Sequence, residues 1–396
     1  MGKIHIEGSK SQAQRAILMA SVFGAQLKNV PNNQDVLAAY SFAKAMGASI
    51  QGESIVAGTE QRGIVNAKES ATVLRMGLPL MLAKYGNAHF VLEDSLAKRP
   101  MDSFFEFCKV SDIEVEIKDN AIVCKGFLKA GEYHLQNIIS SQFLSGLLMG
   151  LSVLSQESKV YYHNIPSMEY AQITLDILKK FNVHIQQHEL YFYIPSCNAK
   201  SADIEITADW SSAAPFLIAQ CFGYPVDLEG NFSKNQPDAK LLEILQSTGF
   251  TVQGLHIKKE KPLHAQVINC QTIPDIVPLL ALLFTQVPGQ SVLLNVERLQ
   301  YKESNRLQNT LHILQSLGAN IHYQNNAFYI QGKKEQWQGG ITVDTSNDHR
   351  MVMLAAIAQL NCKHNLNIRN KDAVQKSYPN FWEDYAILRG HYEYLE

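Results

Sequence analysis

The sequence predicts an α/β protein of two domains, each assembled from three repeated units. Three observations carry this expectation. The chain has 396 residues, more than one ordinary hydrophobic core accommodates, so two domains are the natural division. An amphipathic helix, a small or polar stop and a short β-type run recur six times. A second, more apolar helix precedes each copy.

The helix-and-stop copies are Leu37–Ile50 (stop Gly47), Ser103–Ile117 (Asp112), Ile173–Ile185 (Asn182), Leu241–Val252 (Gly249), Leu311–Ile321 (Gly318) and Phe381–Leu395 (Gly390). The stops lie 65, 70, 67, 69 and 72 residues apart. Glycine or asparagine just past a helix ends it at low cost, because both tolerate positive φ. Tails such as Val183-His184-Ile185 and Phe250-Thr251-Val252 read as strands. The apolar helices begin near Gln12, Ala71, Gln142, Ser211, Asp275 and His349. Segments such as FLSGLLMGLSVL and IVPLLALLF are apolar on most faces, which predicts burial. Six copies at nearly constant spacing favour a repeat-built architecture over coincidental βα patterning.

Apolar residues make up 46% and charged residues 18%, with a formal net charge of −2. That balance gives no bulk attraction to nucleic acid or to an acidic membrane. Anionic substrates would need locally concentrated positive charge. The six cysteines, Cys108, Cys124, Cys197, Cys221, Cys270 and Cys362, form no CxxC pair and no regular spacing to histidine. A zinc site or disulfide framework is therefore not expected. The start of the chain shows no apolar signal core, and runs such as Ile276–Phe284 are too short to span a bilayer. A reduced, cytoplasmic protein is the expectation.

Polar residues cluster at the starts of the apolar helices. They are Lys10-Ser11…Arg15, Glu69-Ser70-Ala71-Thr72…Arg75, Ser140-Ser141-Gln142, Asp209-Trp210-Ser211-Ser212, Pro274-Asp275 and Asn347-Asp348-His349-Arg350. Helix N-termini present unpaired N–H groups and the positive end of the dipole, so they bind phosphate and carboxylate. Capping explains each serine taken singly, and it explains Asp209-Trp210-Ser211-Ser212 as a structural segment. It does not explain Lys10, Arg15, Arg75 and Arg350, because cations there oppose the dipole. An anion between cation and helix end would. Further charge lies in Lys98-Arg99-Pro100, in Lys302-Glu303-Ser304-Asn305-Arg306 and at Lys376. A solvated cluster is the default reading for each. In the Lys-Glu-Ser-Asn-Arg run, however, a carboxylate between two cations could move a proton while the cations hold phosphate.

In this order, Gly8-Ser9-Lys10-Ser11…Arg15, Lys98-Arg99-Pro100-Met101, Ser140-Ser141-Gln142-Phe143, Tyr170…Thr174, Ile273-Pro274-Asp275, Lys302-Glu303-Ser304-Asn305-Arg306, Asn347-Asp348-His349-Arg350 and Lys376-Ser377-Tyr378-Pro379 resemble the EPSP synthase family over essentially the whole chain. The resemblance implies two similar domains, each of three βαβαββ units with buried helices, an inside-out α/β barrel. The active site would lie in the interdomain cleft. It implies one domain from residues 1–9 plus about 209–396, and another from about 10–208. The implied reaction moves the enolpyruvyl group of phosphoenolpyruvate to the 5-hydroxyl of shikimate 3-phosphate through a tetrahedral ketal, with no metal or other cofactor. By the same resemblance, Ser11 and Arg15 hold the shikimate carboxylate, and Ser140, Ser141, Ser167 and Lys302 its phosphate. Gln142 and Tyr170 line the ring pocket. Lys10, Arg99, Arg306, Arg350 and Lys376 hold phosphoenolpyruvate, with Gln142 and backbone N–H groups near Ala71. Asp275 takes the hydroxyl proton, Glu303 and Lys302 serve the methylene carbon, and His349 and Lys10 join the catalytic set. The partners implied are these two small molecules; neither nucleic acid nor membrane is expected, and a monomer is.

The chain departs from the family pattern at Lys68 and Ala71, where glycines are usual, and at Asn305, where aspartate is usual. The Ala71 methyl group would leave less room for a longer mimic of phosphoenolpyruvate such as glyphosate. Three other readings compete with this one. A same-fold enzyme acting on UDP-N-acetylglucosamine carries a reactive cysteine before its Arg-Pro, whereas Glu93–Lys98 contains none and Cys108 reads as core. A non-catalytic anion-binding paralogue rests only on the Lys68–Ala71 change. An RNA-terminal-phosphate enzyme finds no support in the charge or in aromatic-basic interleaving.

Overall fold

The computed structural model describes residues 2–136, 138–163, 165, 168–196 and 198–389. The chain divides into two compact units: an inserted unit, residues 8–207, and a flanking unit made of residues 1–7 and 208–396.

Each apolar segment forms a helix, and each helix-and-stop segment forms another. In chain order they are α1 (Lys10–Phe23), α2 (Gln34–Ala45), α3 (Ala71–Tyr85), α4 (Asp102–Val110), α5 (Ser141–Leu151), α6 (Met168–Lys180), α7 (Trp210–Cys221), α8 (Leu241–Thr248), α9 (Val277–Phe284), α10 (Arg306–Ser316), α11 (His349–Gln359) and α12 (Phe381–Arg389). A four-residue helical turn, Asp94–Ala97, sits between α3 and α4. The odd-numbered helices are the buried ones. Every residue of α9 is buried, as are nine of the fourteen in α1. The even-numbered helices bury one stripe, as their amphipathic sequences require. The five predicted stops within the described residues all adopt positive φ: Gly47, Asp112, Asn182, Gly249 and Gly318. Gly390 lies outside the described residues.

Strand pairing shows how the repeat closes. Val65–Lys68 pairs parallel with Asn87–Leu92, which pairs antiparallel with Ala121–Lys125, itself antiparallel to Glu114–Lys118. The chain thus runs strand, buried helix, strand, outer helix, hairpin. The same order recurs between Glu132 and Ile194 and between Val267 and Gly332. Two repeats borrow their leading strand from a distant part of the chain. Ala202–Glu205 pairs parallel with Ala25–Lys28, and Gly2–His5 pairs parallel with Val226–Glu229. These two pairings tie the first strand to the flanking unit and residues 202–205 to the inserted one. The fold is a two-domain α/β fold.

Buried helices meet closely. A Cβ on Gly146 of α5 would collide with the Arg75 carbonyl oxygen of α3, so only glycine permits this approach of the two backbones. Among the described residues, no helix is long and apolar enough to cross a membrane.

Candidate active site

In the inserted unit, the starts of α1, α3 and α5 bring polar side chains together. Ser9 precedes α1, but its side chain makes no capping bond. Lys10 Nζ lies 2.8 Å from Asp35 Oδ2, with both side chains mostly buried. Gln14 donates to the Asp35 carbonyl at 3.1 Å and to Ser70 Oγ at 2.6 Å, linking α1 to the N-cap of α3. Arg15 is 2% exposed. Its Nε donates to Thr174 Oγ1 at 2.7 Å, and its terminal nitrogens donate to the Ser11 and Tyr170 carbonyls at 2.6 and 3.2 Å. Thr174 in turn donates to Ser145 Oγ at 2.8 Å. No carboxylate among the described residues forms an ion pair with Arg15. Burial pushes its guanidinium down to about 10. A guanidinium has five N–H donors, so three bonds leave donors for an anion.

Ser140 caps α5 by accepting the Gln142 N–H at 3.3 Å, and Ser141 is buried. Gln142 donates to Thr72 Oγ1 and accepts from Arg75, both at 3.0 Å. Arg75 also donates to the Pro100 carbonyl at 2.8 Å and lies 4.6 Å above the Phe143 ring. Of the four cations at helix starts, Arg75 therefore holds its own neighbours in place. Arg99 differs: its Nε and one terminal nitrogen are buried and find no partner among the described residues. Ala71 opens α3 behind its cap Ser70, whose Oγ accepts the Val73 N–H. The first-turn N–H groups after such a cap have no intrahelical acceptor. Lys68, three residues earlier, adopts φ 49°. Ser167 lies outside the described residues.

In the flanking unit, Arg306 is the hub. It is 1% exposed and reaches three carboxylates: Nε to Asp348 Oδ2 at 2.8 Å, one terminal nitrogen to Asp275 Oδ1 at 2.9 Å, the other to Glu303 Oε2 at 2.5 Å. These carboxylates outweigh burial and raise the Arg306 pKa. Lys302 adds a second cation, 3.1 Å from Asp275 Oδ1. Burial works against charge on Asp275, but Lys302, Arg306 and Arg350 win and hold the carboxyl far below its ordinary range. Burial lowers the Lys302 pKa, and Asp275 opposes that shift. Asp348 caps α11 through the Arg350 N–H at 2.8 Å and also accepts from Ser304 Oγ at 2.9 Å. His349 is buried beside it. Arg350 donates to the Ser211 carbonyl at 2.8 Å. Lys376 donates to the Asn347 carbonyl at 2.6 Å. Asn305 caps α10 by accepting the Gln308 N–H at 3.1 Å, so aspartate is not needed there to start the helix.

Three carboxylates escaped the sequence reading as site residues. Asp35 sits in the first turn of α2, where an acid is ordinary dipole complement. Asp348 reads as a plain N-cap. Asp238 is 3% exposed in a short 3₁₀ turn, Pro237–Lys240. Burial, then the charge of Asp275, push Asp238 up to about 7. The segment read as purely structural, Asp209-Trp210-Ser211-Ser212, does cap α7, with Asp209 Oδ1 accepting the Ser211 and Ser212 N–H groups at 2.8 and 3.2 Å. It is also drawn into this cluster, because Ser211 Oγ donates to Asp238 Oδ2.

Comparison with known proteins gives this arrangement a family. A family model described as EPSP synthase (3-phosphoshikimate 1-carboxyvinyltransferase) matches residues 1–385. The chain belongs to the EPSP synthase family. A protein of Clostridium perfringens strain SM101 named 3-phosphoshikimate 1-carboxyvinyltransferase is 31% identical over 414 residues, covering 98% of this chain and 96% of its own length. One of Clostridium novyi with the same name is 30% identical, covering 98% and 95%. The fold resembles the EPSP synthase of Acinetobacter baumannii, with a TM-score of 0.78 at 21% identity over 98% of this chain and 95% of that one. It also resembles the enolpyruvyl transferase NikO of Streptomyces tendae, with a TM-score of 0.75 at 15% identity over 98% and 94%. The segment Glu93–Lys98 holds no cysteine. Cys108 is 2% exposed on α4, and burial pushes its thiol far up, which removes its nucleophilic form.

Proposed function

We propose that this protein transfers the enolpyruvyl group of phosphoenolpyruvate to the 5-hydroxyl of shikimate 3-phosphate, releasing phosphate. Family membership supports the reaction. The observation that carries it is the Asp275–Lys302–Arg306–Glu303 constellation, with one carboxylate between two cations and a second on the same arginine. Proton transfer needs a base and an acid in reach, and two phosphates and two carboxylates need fixed cations.

The roles divide between the clusters. Arg15, Ser11 and Tyr170 receive the ring carboxylate and hydroxyls; Ser140, Ser141 and Lys302 receive the ring phosphate. Lys10, Gln142, Arg99, Arg306, Arg350, Lys376 and the first-turn N–H groups of Ala71 and Thr72 receive phosphoenolpyruvate. Asp275 accepts the 5-hydroxyl proton. Glu303 and Lys302 give a proton to the methylene carbon and take it back when the ketal collapses and phosphate leaves. His349, buried against Asp348, supports this cluster. The protein works as a cytoplasmic monomer.

A phosphate-release assay with both substrates tests this reading. The wild-type protein should release phosphate only when both are present. Asp275→Ala and Glu303→Ala should each lower kcat by about 10²–10⁴-fold. A folded wild-type protein that releases none overturns the reading.

A further inference from the structure

Asp238 is a buried acid that the roles above leave unused. Its Oδ2 accepts the Ser211 hydroxyl. Its Oδ1 is buried and has no hydrogen-bond partner among the described residues. Asp348, equally buried, shows the contrast: three donors reach it, from Arg306, Ser304 and the Arg350 backbone. A buried carboxylate needs such donors, and without them the protonated form is favoured. A protonated carboxyl has a hydrogen to give.

Arg350 stands beside this acid with a matching vacancy. Its NH1 donates to the Ser211 carbonyl, while its Nε is buried and without a partner among the described residues. Arg350 is 4% exposed. Two adjoining side chains, both more than nine-tenths buried and both anchored on Ser211, thus keep unused polar atoms at the start of α7. The charges facing Asp238 are those of Asp275 and Asp209, which disfavour a second carboxylate, and of Arg350, which partly offsets them. On its own turn Lys240 is exposed, and on α8, packed against that turn, so is Glu243.

We propose that Asp238 works as a neutral carboxyl, donating a hydrogen bond from Oδ1 to an oxygen of the phosphoenolpyruvate anion that Arg350 binds. The inference rests on the proposed reaction. Asp238 keeps its proton throughout: it is a binding donor and exchanges no proton with substrate. Its ionisation turns a donor into a repelling charge, so phosphoenolpyruvate binding weakens as pH rises past neutrality.

The test is kcat/KM for phosphoenolpyruvate from pH 6 to 9 in the wild type, Asp238→Asn and Asp238→Ala. Asparagine keeps an N–H donor and cannot ionise. At low pH Asp238→Asn should stay within about tenfold of wild type, and Asp238→Ala should fall roughly 10–100-fold, the worth of a hydrogen bond to a charged group. Both variants should lose the alkaline limb that the wild type shows, and KM for shikimate 3-phosphate should stay put. An Asp238→Asn profile that keeps the wild-type limb, or an asparagine variant as impaired as alanine though folded, overturns the proposal. Calorimetry of phosphoenolpyruvate binding to the wild type in two buffers above neutrality needs no variant. Proton uptake on binding is expected, and none overturns it. If the wild type releases no phosphate from the substrate pair, the reaction itself is wrong. An active wild type with an unaltered Asp238→Asn profile sinks only this inference.

Discussion

The two units bury an arginine in opposite ways. In the flanking unit, Arg306 sits among three carboxylates. In the inserted unit, Arg15 is equally buried but is met by a hydroxyl and two carbonyls. The first arrangement is electrically complete without a ligand. The second leaves a desolvated cation facing no carboxylate among the described residues. The difference teaches which buried arginine the fold itself neutralises and which it leaves with its charge unanswered.

Removing each charge separates the two. Arg306→Met strands Asp275, Glu303 and Asp348, and breaking a buried ion pair from one side costs about 3–5 kcal/mol. Arg15→Met strands no carboxylate. It removes a cation that burial disfavours, so stability should move by only about 1 kcal/mol. Shikimate 3-phosphate binding should fall by at least about 10²-fold, the worth of a charge-assisted bidentate contact. Urea unfolding and ligand titration of both variants read this out. Equal stability losses would erase the distinction.

The same logic sets an acid limb. Asp275 is held far below its ordinary range in the folded state. Its contribution to stability is therefore complete above the unfolded value of about 3.9 and is lost as pH falls below it. Asp238 runs the other way. Raised to about 7, it costs stability as pH climbs from about 4 to about 7, after which the cost levels off. Asp275→Asn should flatten the loss of stability below pH 4, and Asp238→Asn should remove the decline between pH 4 and 7. Urea midpoints across pH check both. An unchanged acid limb in Asp275→Asn would show that its carboxyl is held no lower in the folded protein than in the unfolded chain.

Much of this was legible in the sequence, and the reasons are local. Gly47, Asp112, Asn182, Gly249 and Gly318 announce helix ends because positive φ restricts which residues can stand there. The buried helices announce themselves because a segment apolar on every face has nowhere else to go. The cations at helix starts stood out because they oppose the dipole. What stayed hidden were partners chosen by tertiary contact. Nothing in the spacing pairs Lys10 with Asp35, or Ser211 with Asp238, 27 positions away. Arg75 looked like Arg15 in sequence. Only packing against Gln142, Pro100 and Phe143 separates them.

The smallest expected effect lies in the backbone ahead of two buried helices. Lys68 precedes α3 at φ 49°, and Asn347 precedes α11 at φ 53°. A lysine in left-handed backbone costs about 1–2 kcal/mol, while asparagine visits that region readily. Glycine removes the steric cost but adds about 0.5–1 kcal/mol of chain entropy to lose. Lys68→Gly should therefore stabilise the protein by about 0.5–1 kcal/mol, and Asn347→Gly should not stabilise it, because there is little strain to relieve. Urea midpoints of the two variants decide between them. A Lys68→Gly variant less stable than wild type would mean that side-chain contacts of Lys68 repay its backbone.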